Sequence, residues 1–160
     1  MLLLLNRHGL AAEQDPVRYP DDSLRPLLPK GRRIQRKMSR RLFAAGLAPF
    51  RVYSSPWKRA WQTAGILREE SGLTKTDRIS CDALAESPDL AELAEAIGAA
   101  GLGERIAVVA HEPWMSDLAA QLLTGSRSGL GIDFPKSGIM GIETDGLEPG
   151  EGTLRFFLRP

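Results

Sequence analysis

Apolar and polar positions along the chain alternate between two rhythms. The opening run Leu2-Leu3-Leu4-Leu5 is short, continuous and apolar, the pattern of a strand covered on both faces of a sheet. A polar, proline-spotted loop follows, from Ala11 to about Lys30. Between Gly31 and Ala45, the residues Ile34, Met38, Leu42 and Ala45 recur at helical spacing, and Gly46 stands where a C-cap glycine belongs. Arg51-Val52-Tyr53-Ser54 predicts a second strand, and residues 57–67 a second helix that begins behind Pro56. Leu90, Leu93, Ala94 and Ile97 mark a third helix. Ile106-Ala107-Val108-Val109-Ala110 reads as another buried strand, with a helix after it through Met115, Leu118, Ala119 and Leu122. Two further strands, at 138–143 and 153–158, flank a turn rich in Gly and Pro, so the tail reads as a hairpin. Strands alternating with helices predict an α/β fold: a three-layer α/β/α sandwich whose central sheet is mostly parallel, with an antiparallel edge at its end. No repeat, low-complexity tract or long linker divides the chain, so residues 1–160 read as one domain.

Composition narrows the function classes. The chain has 160 residues, 42% of them hydrophobic and 26% charged, close to ordinary globular usage. A net charge of +1 argues against a protein built to coat nucleic acid. One cysteine, Cys81, excludes an internal disulfide framework. Asn6 and Arg7 end the apolar opening too early for a secretory h-region of about 7–15 residues, and no run approaches the roughly 20 residues of a membrane span. A cytoplasmic protein without membrane contact is the expectation.

Three strand ends carry unusual residues, and ligands of such sheets bind beyond the carboxyl ends of the strands. The first strand stops at Asn6-Arg7-His8-Gly9 and the second at Ser54-Ser55-Pro56-Trp57-Lys58-Arg59. The long apolar strand stops at His111-Glu112-Pro113. Both histidines of the chain therefore follow buried strands. Each of these residues alone also reads as an ordinary loop or end-of-strand group. Together, two arginines and two histidines on one sheet edge make a cationic pocket suited to a phosphoryl group, which arginine grips through paired hydrogen bonds. Other chemistries fail on spacing. A cysteine phosphatase needs an Arg where Ser87 stands relative to Cys81. Pro113 and Met115 break the zinc-protease pattern after His111-Glu112. Two histidines with scattered carboxylates make a poor metal site, and no Walker-type stretch exists.

Arg7-His8-Gly9 after a hydrophobic strand resembles the signature of the histidine phosphatase superfamily, the phosphoglycerate-mutase-like fold. Ser55-Pro56-x-x-Arg59-Ala60-x-Gln62-Thr63-Ala64 resembles its second block, and Val109-Ala110-His111-Glu112-Pro113 its third. Arg25-Pro26-Leu27 ahead of Gly31, and Phe134-Pro135-Lys136-Ser137, are similar to the short SixA-like branch of phosphohistidine phosphatases. The resemblance covers residues 2–143 in a compact version without a large lid insertion. It implies that His8 is phosphorylated, that Arg7, Arg59 and His111 hold the phosphoryl group, and that no metal or organic cofactor takes part. A covalent phosphohistidine would divide one hard displacement into two easier ones. Many relatives carry a general acid in a Leu-x-Glu stretch, which Leu84-Ala85-Glu86 matches, while Ser87-Pro88-Asp89 departs from the continuation. Glu86 therefore reads either as a catalytic acid or as a solvated loop carboxylate. The implied substrate is phosphohistidine on a protein. Small phosphate esters are the alternative, and a phosphate-binding regulatory module without turnover is the rival of a different class. Lys30, Arg32, Arg33, Arg36, Lys37, Arg40 and Arg41 crowd the outer side of the first helix, as a solvated face or a docking surface for an acidic protein.

Overall fold

The computed structural model describes residues 1–98 and 105–160. Among the described residues six strands are formed: β1 (Leu2–Arg7), β2 (Arg51–Ser54), β3 (Arg78–Ser80), β4 (Arg105–Ala110), β5 (Ile139–Glu143) and β6 (Thr153–Leu158). Five α-helices accompany them among the same residues: α1 (Pro29–Ala44), α2 (Lys58–Glu70), α3 (Ala83–Glu86), α4 (Leu90–Ile97) and α5 (Trp114–Thr124). The sheet order is β3-β2-β4-β1-β5-β6. The first four are parallel, and β5 and β6 add an antiparallel edge. This is the mixed α/β sandwich that the alternation of elements predicts.

The period of two along β1 shows how the layers form. Leu3 and Leu5 point to one face, where Val108, Met115, Leu118 and Leu93 pack. Leu4 points to the other, against Met38 and Leu42 of α1 and Ala64 and Leu67 of α2. All three leucines are fully buried. α4 and α5 thus cover one face, α1 and α2 the other, and β1 and β4 run through the middle. Truncating Leu4 to Ala would cost about 2–5 kcal/mol, the range for a buried leucine that leaves a cavity.

The start of α1 is set by Pro29 in its first turn, and its end by Gly46 at φ 70°. Its inner stripe is more polar than its apolar spacing suggests. Gln35 and Ser39 are fully buried beside Met38 and Leu42, and Ile34 is only partly covered. Gln35 Nε2 donates to Asn6 Oδ1 at 2.8 Å, and Asn6 Nδ2 donates to the carbonyls of Arg7 and Gly138. A buried amide pair therefore ties α1 to the end of β1. On its outer face, Arg36 and Arg40 both pair with Glu70 of α2.

Two elements lie outside the sequence reading. β3 is a three-residue edge strand whose residues are partly or fully exposed, so it carries no apolar run. α3 is a single turn that ends at Ser87, which adopts a left-handed φ of 64°.

Candidate active site

The parallel ladder continues one residue past the ends of the central strands. His8 N–H donates to the Ala110 carbonyl at 3.1 Å, and Ser55 N–H donates to the Val109 carbonyl at 3.0 Å. These bonds set His8, Ser55 and His111 side by side at the carboxyl edge of β1, β2 and β4. The ring centroids of His8 and His111 lie 5.2 Å apart.

His8 is 7% exposed. Its Nδ1 lies 2.8 Å from the Gly9 carbonyl oxygen, which can only accept, so Nδ1 carries the proton. In the neutral ring Nε2 then keeps its lone pair, the atom able to attack phosphorus. Burial pulls the His8 pKa down to about 3, and His111, Arg59 and Arg7 push in the same direction. The imidazole is therefore neutral and nucleophilic at neutral pH. Gly9 lets the turn close tightly: a Cβ there would lie 3.1 Å from Ser137 Oγ and 3.4 Å from the Gly31 carbonyl. Its N–H donates to Thr63 Oγ1 at 3.0 Å, while Leu27 N–H donates to Gln62 Oε1 at 2.8 Å. Gln62 and Thr63 thus buckle the second block onto the first.

Arg7 donates from Nη1 to the Phe134 carbonyl at 2.5 Å. The segment Phe134–Gly138 folds over this strand end, with Ser137 N–H donating to the carbonyls of Arg7 and His8. Arg59 is 5% exposed and packs over the Trp57 ring at 4.5 Å. His111 sits against the same ring at 4.8 Å and shares a 2.9 Å hydrogen bond with Ser55 Oγ through Nε2. Burial, with Arg59 next, brings the His111 pKa down to about 4. Arg7 Nε, Arg59 Nε, His111 Nδ1 and Ser137 Oγ are all buried with no hydrogen-bond partner. Native folds leave few buried polar groups unmet, and each one asks for an account. Four in one cluster, three of them on cation or histidine side chains, make a cradle for a tetrahedral anion.

One carboxylate already faces this cradle. Asp22, in a short turn of the loop, pairs with Arg59 Nη2 at 3.1 Å and Arg25 Nε at 2.6 Å. Hydrogen bonding from Arg25 holds its carboxyl below the usual range. Arg25 therefore joins the group of cations. Lys136 lies close enough that Arg7, Arg25 and Arg59 add to burial in lowering its pKa.

The structure brings Arg7, His8, Arg59 and His111 together, and Glu86 is not among the residues lining the hollow beside them. Ala85 and Ser87 line a hollow of about 190 Å³ beside Arg59 and His111. Glu86, a third of a turn away, lines a separate depression with Glu92 and Glu95. Among the described residues no three His, Cys, Asp or Glu side chains gather around a possible metal, and no helix is long and apolar enough to cross a membrane.

The family model of the histidine phosphatase superfamily (branch 1) matches residues 3–87, more than half of the chain. The chain belongs to the histidine phosphatase superfamily. This superfamily member is most informatively compared with the protein histidine phosphatase SixA solved with tungstate, at 27% identity and TM-score 0.81, covering 99% of this chain and 96% of that one. A SixA protein from Agrobacterium tumefaciens gives 21% identity and TM-score 0.78 over 99% and 97%. A mycobacterial glucosyl-3-phosphoglycerate phosphatase gives 18% and 0.66 over 97% of each chain. No curated protein matches. The fold is SixA-like, and the histidine phosphatase carried on it is a phosphatase.

Ser55, Trp57, Asp22, Arg25, Lys136 and Glu112 also surround the site, beyond the residues that the sequence singles out for it. Arg25, Ser55, Glu112 and Lys136 do lie in segments that the resemblance marks. For Asp22 no periodic signal exists, because its loop has none.

Proposed function

We propose that the chain is a phosphohistidine phosphatase that works through a covalent phosphohistidine on His8. The observation that carries this is the fixed tautomer of His8: Nδ1 bound to the Gly9 carbonyl, Nε2 free, in a cradle of arginines. Arg7, Arg59 and His111 bind the phosphoryl oxygens and stabilise the charge that spreads over them in transit. Water then attacks the phosphoryl group on His8 and releases inorganic phosphate.

Three features favour phosphohistidine on a protein as the substrate. SixA, named a protein histidine phosphatase, shares the fold over nearly the whole chain. The hollow beside His111 is small, about 190 Å³, and suits a single side chain projecting from a partner rather than an enclosed metabolite. The segments between the three blocks are short, leaving little chain for a lid. Kinetics on phosphohistidine peptides, phosphoserine peptides and sugar phosphates side by side test the reading. The expected result is the highest kcat/KM on phosphohistidine. A sugar phosphate ahead by about a hundredfold would favour the small-ester reading instead, a gap of roughly 2.7 kcal/mol in transition-state binding.

Oxyanion binding should draw a proton into the site. Burial and Arg59 bring the His111 pKa down to about 4, so the ring is neutral at pH 7. A bound dianion raises that pKa, because an opposite charge within reach favours the protonated form. Between the free and the bound pKa, binding takes up a proton, so affinity rises as pH falls, by up to about tenfold per pH unit. Calorimetric titration with tungstate in buffers of different ionisation enthalpy measures this uptake. His111→Gln should abolish it; unchanged uptake in that variant would assign the proton elsewhere.

A further inference from the structure

We infer that Glu112, rather than Glu86, is the carboxylic acid that protonates the leaving group, in the hollow formed by Trp57, Arg59, Ala85, Ser87, His111 and Glu112. Four observations carry it. First, Glu112 directly follows His111, so the end of β4 that presents the histidine also fixes the backbone of the acid. Second, Glu112 lines the same hollow as His111 and Arg59, and it is the one carboxylic acid among the described residues that does so. Third, its two oxygens differ. Oε2 accepts from Ser116 Oγ at 2.6 Å, whereas Oε1 is buried with no partner. A buried oxygen that no donor meets is costly on a carboxylate, so this environment favours the protonated acid over the ion. Fourth, burial pushes the Glu112 pKa above the usual carboxylate range, with Asp117 adding to it and the Ser116 hydrogen bond and Arg7 opposing. Raised carboxyl pKa values of this kind suit general acids.

The other carboxylates near the site do not fit the role. Asp22 is held ionised by Arg25. Glu86 faces the other depression. With Glu112 the reaction balances. The lone pair of His8 Nε2 forms a bond to phosphorus, and the bond from phosphorus to the leaving atom breaks. That electron pair takes the Glu112 proton, so the leaving group departs neutral and Glu112 becomes a carboxylate. In the second half, water attacks phosphorus and Glu112 accepts its proton. The P–N bond breaks, its pair returns to Nε2, and inorganic phosphate leaves with the acid restored.

The inference rests on the phosphatase reading of the site, and the two fail in different ways. The test is the leaving-group dependence of kcat/KM for para-nitrophenyl, phenyl and alkyl phosphates, in the wild type and in Glu112→Gln. Glu112→Gln should lose only a few-fold on the nitrophenyl ester, which leaves without help. The loss should grow to about 10²-fold or more on the alkyl ester, the scale of general-acid catalysis. Glu112→Asp, which keeps an acid one methylene shorter, should give an intermediate slope. It also serves as the readout should the Gln variant not fold. A uniform loss on all three esters, or parallel slopes for wild type and variants, would overturn Glu112 as the acid. A wrong substrate class would instead change which leaving group is preferred and leave the change of slope intact.

Discussion

His8→Ala yields a folded protein with no measurable turnover. Two unequal effects lie behind this expectation. The imidazole makes one hydrogen bond of its own, to the Gly9 carbonyl, and losing such a bond costs about 1 kcal/mol. Its backbone N–H, bonded to Ala110, is untouched by the substitution. The substitution also removes a ring that is buried neutral among Arg7, Arg59 and His111, so no charge is left stranded. The thermal midpoint should therefore move little. Catalysis is another matter. Without His8 the Nε2 lone pair that the Gly9 bond keeps free for attack is gone, His111 Nε2 is engaged by Ser55, and water would have to attack the bound substrate unaided. Steady-state assays on an aryl phosphate, paired with a melting curve, check both halves. Substantial activity in a folded His8→Ala variant would remove His8 from the mechanism.

Arg59→Ala should lower kcat by about 10²-fold or more, the scale on which one preorganised charge-stabilising donor acts. Arg59 is set for this by its surroundings. The Trp57 ring supports the guanidinium at 4.5 Å, Asp22 holds one edge of it, and Nε is left buried without a partner. A guanidinium fixed in this way meets the transferring phosphoryl group with no reorganisation. Arg59→Lys should rescue poorly, because an ammonium cannot hold Asp22 and donate along a planar fork at once. Most of the loss should fall on kcat rather than KM, since charge spreads over the oxygens chiefly in transit. Near-normal kinetics for Arg59→Lys would show that Arg59 does not clamp phosphate.

The fold was legible where burial writes itself into spacing. Leu2 to Leu5 and Ile106 to Ala110 are apolar without a break because the central strands are covered on both faces. The same two runs located His8 and His111, since a parallel sheet gathers its strand ends on one edge. What stayed hidden depends on partners distant in sequence. Gln35 and Ser39 look like surface residues of a basic helix, and only Asn6, 29 residues from Gln35, makes that amide buried. β3 is short and lies at the sheet edge, so no hydrophobic run announces it. Glu86 fits a motif, yet α3 is a single turn, and one residue of rotation moves its side chain out of the hollow that Ala85 and Ser87 line. Glu112 looked like the loop residue after a histidine. Its environment comes from packing against α5, where Ser116 engages one oxygen and leaves the other unmet. Asp22 reaches Arg59 across 37 residues from a loop with no periodicity.

The covalent step on His8 is the centre of this account, and trapping it is the most direct test. Enzyme mixed with a labelled phosphohistidine peptide or aryl phosphate and quenched in base within one turnover should carry one phosphoryl group. That group should be stable to base and labile to acid, as expected of a phosphorus–nitrogen bond, and peptide mapping should place it on His8. A phosphoryl group on any other residue, or hydrolysis at full rate with none trapped at any time, would contradict the account.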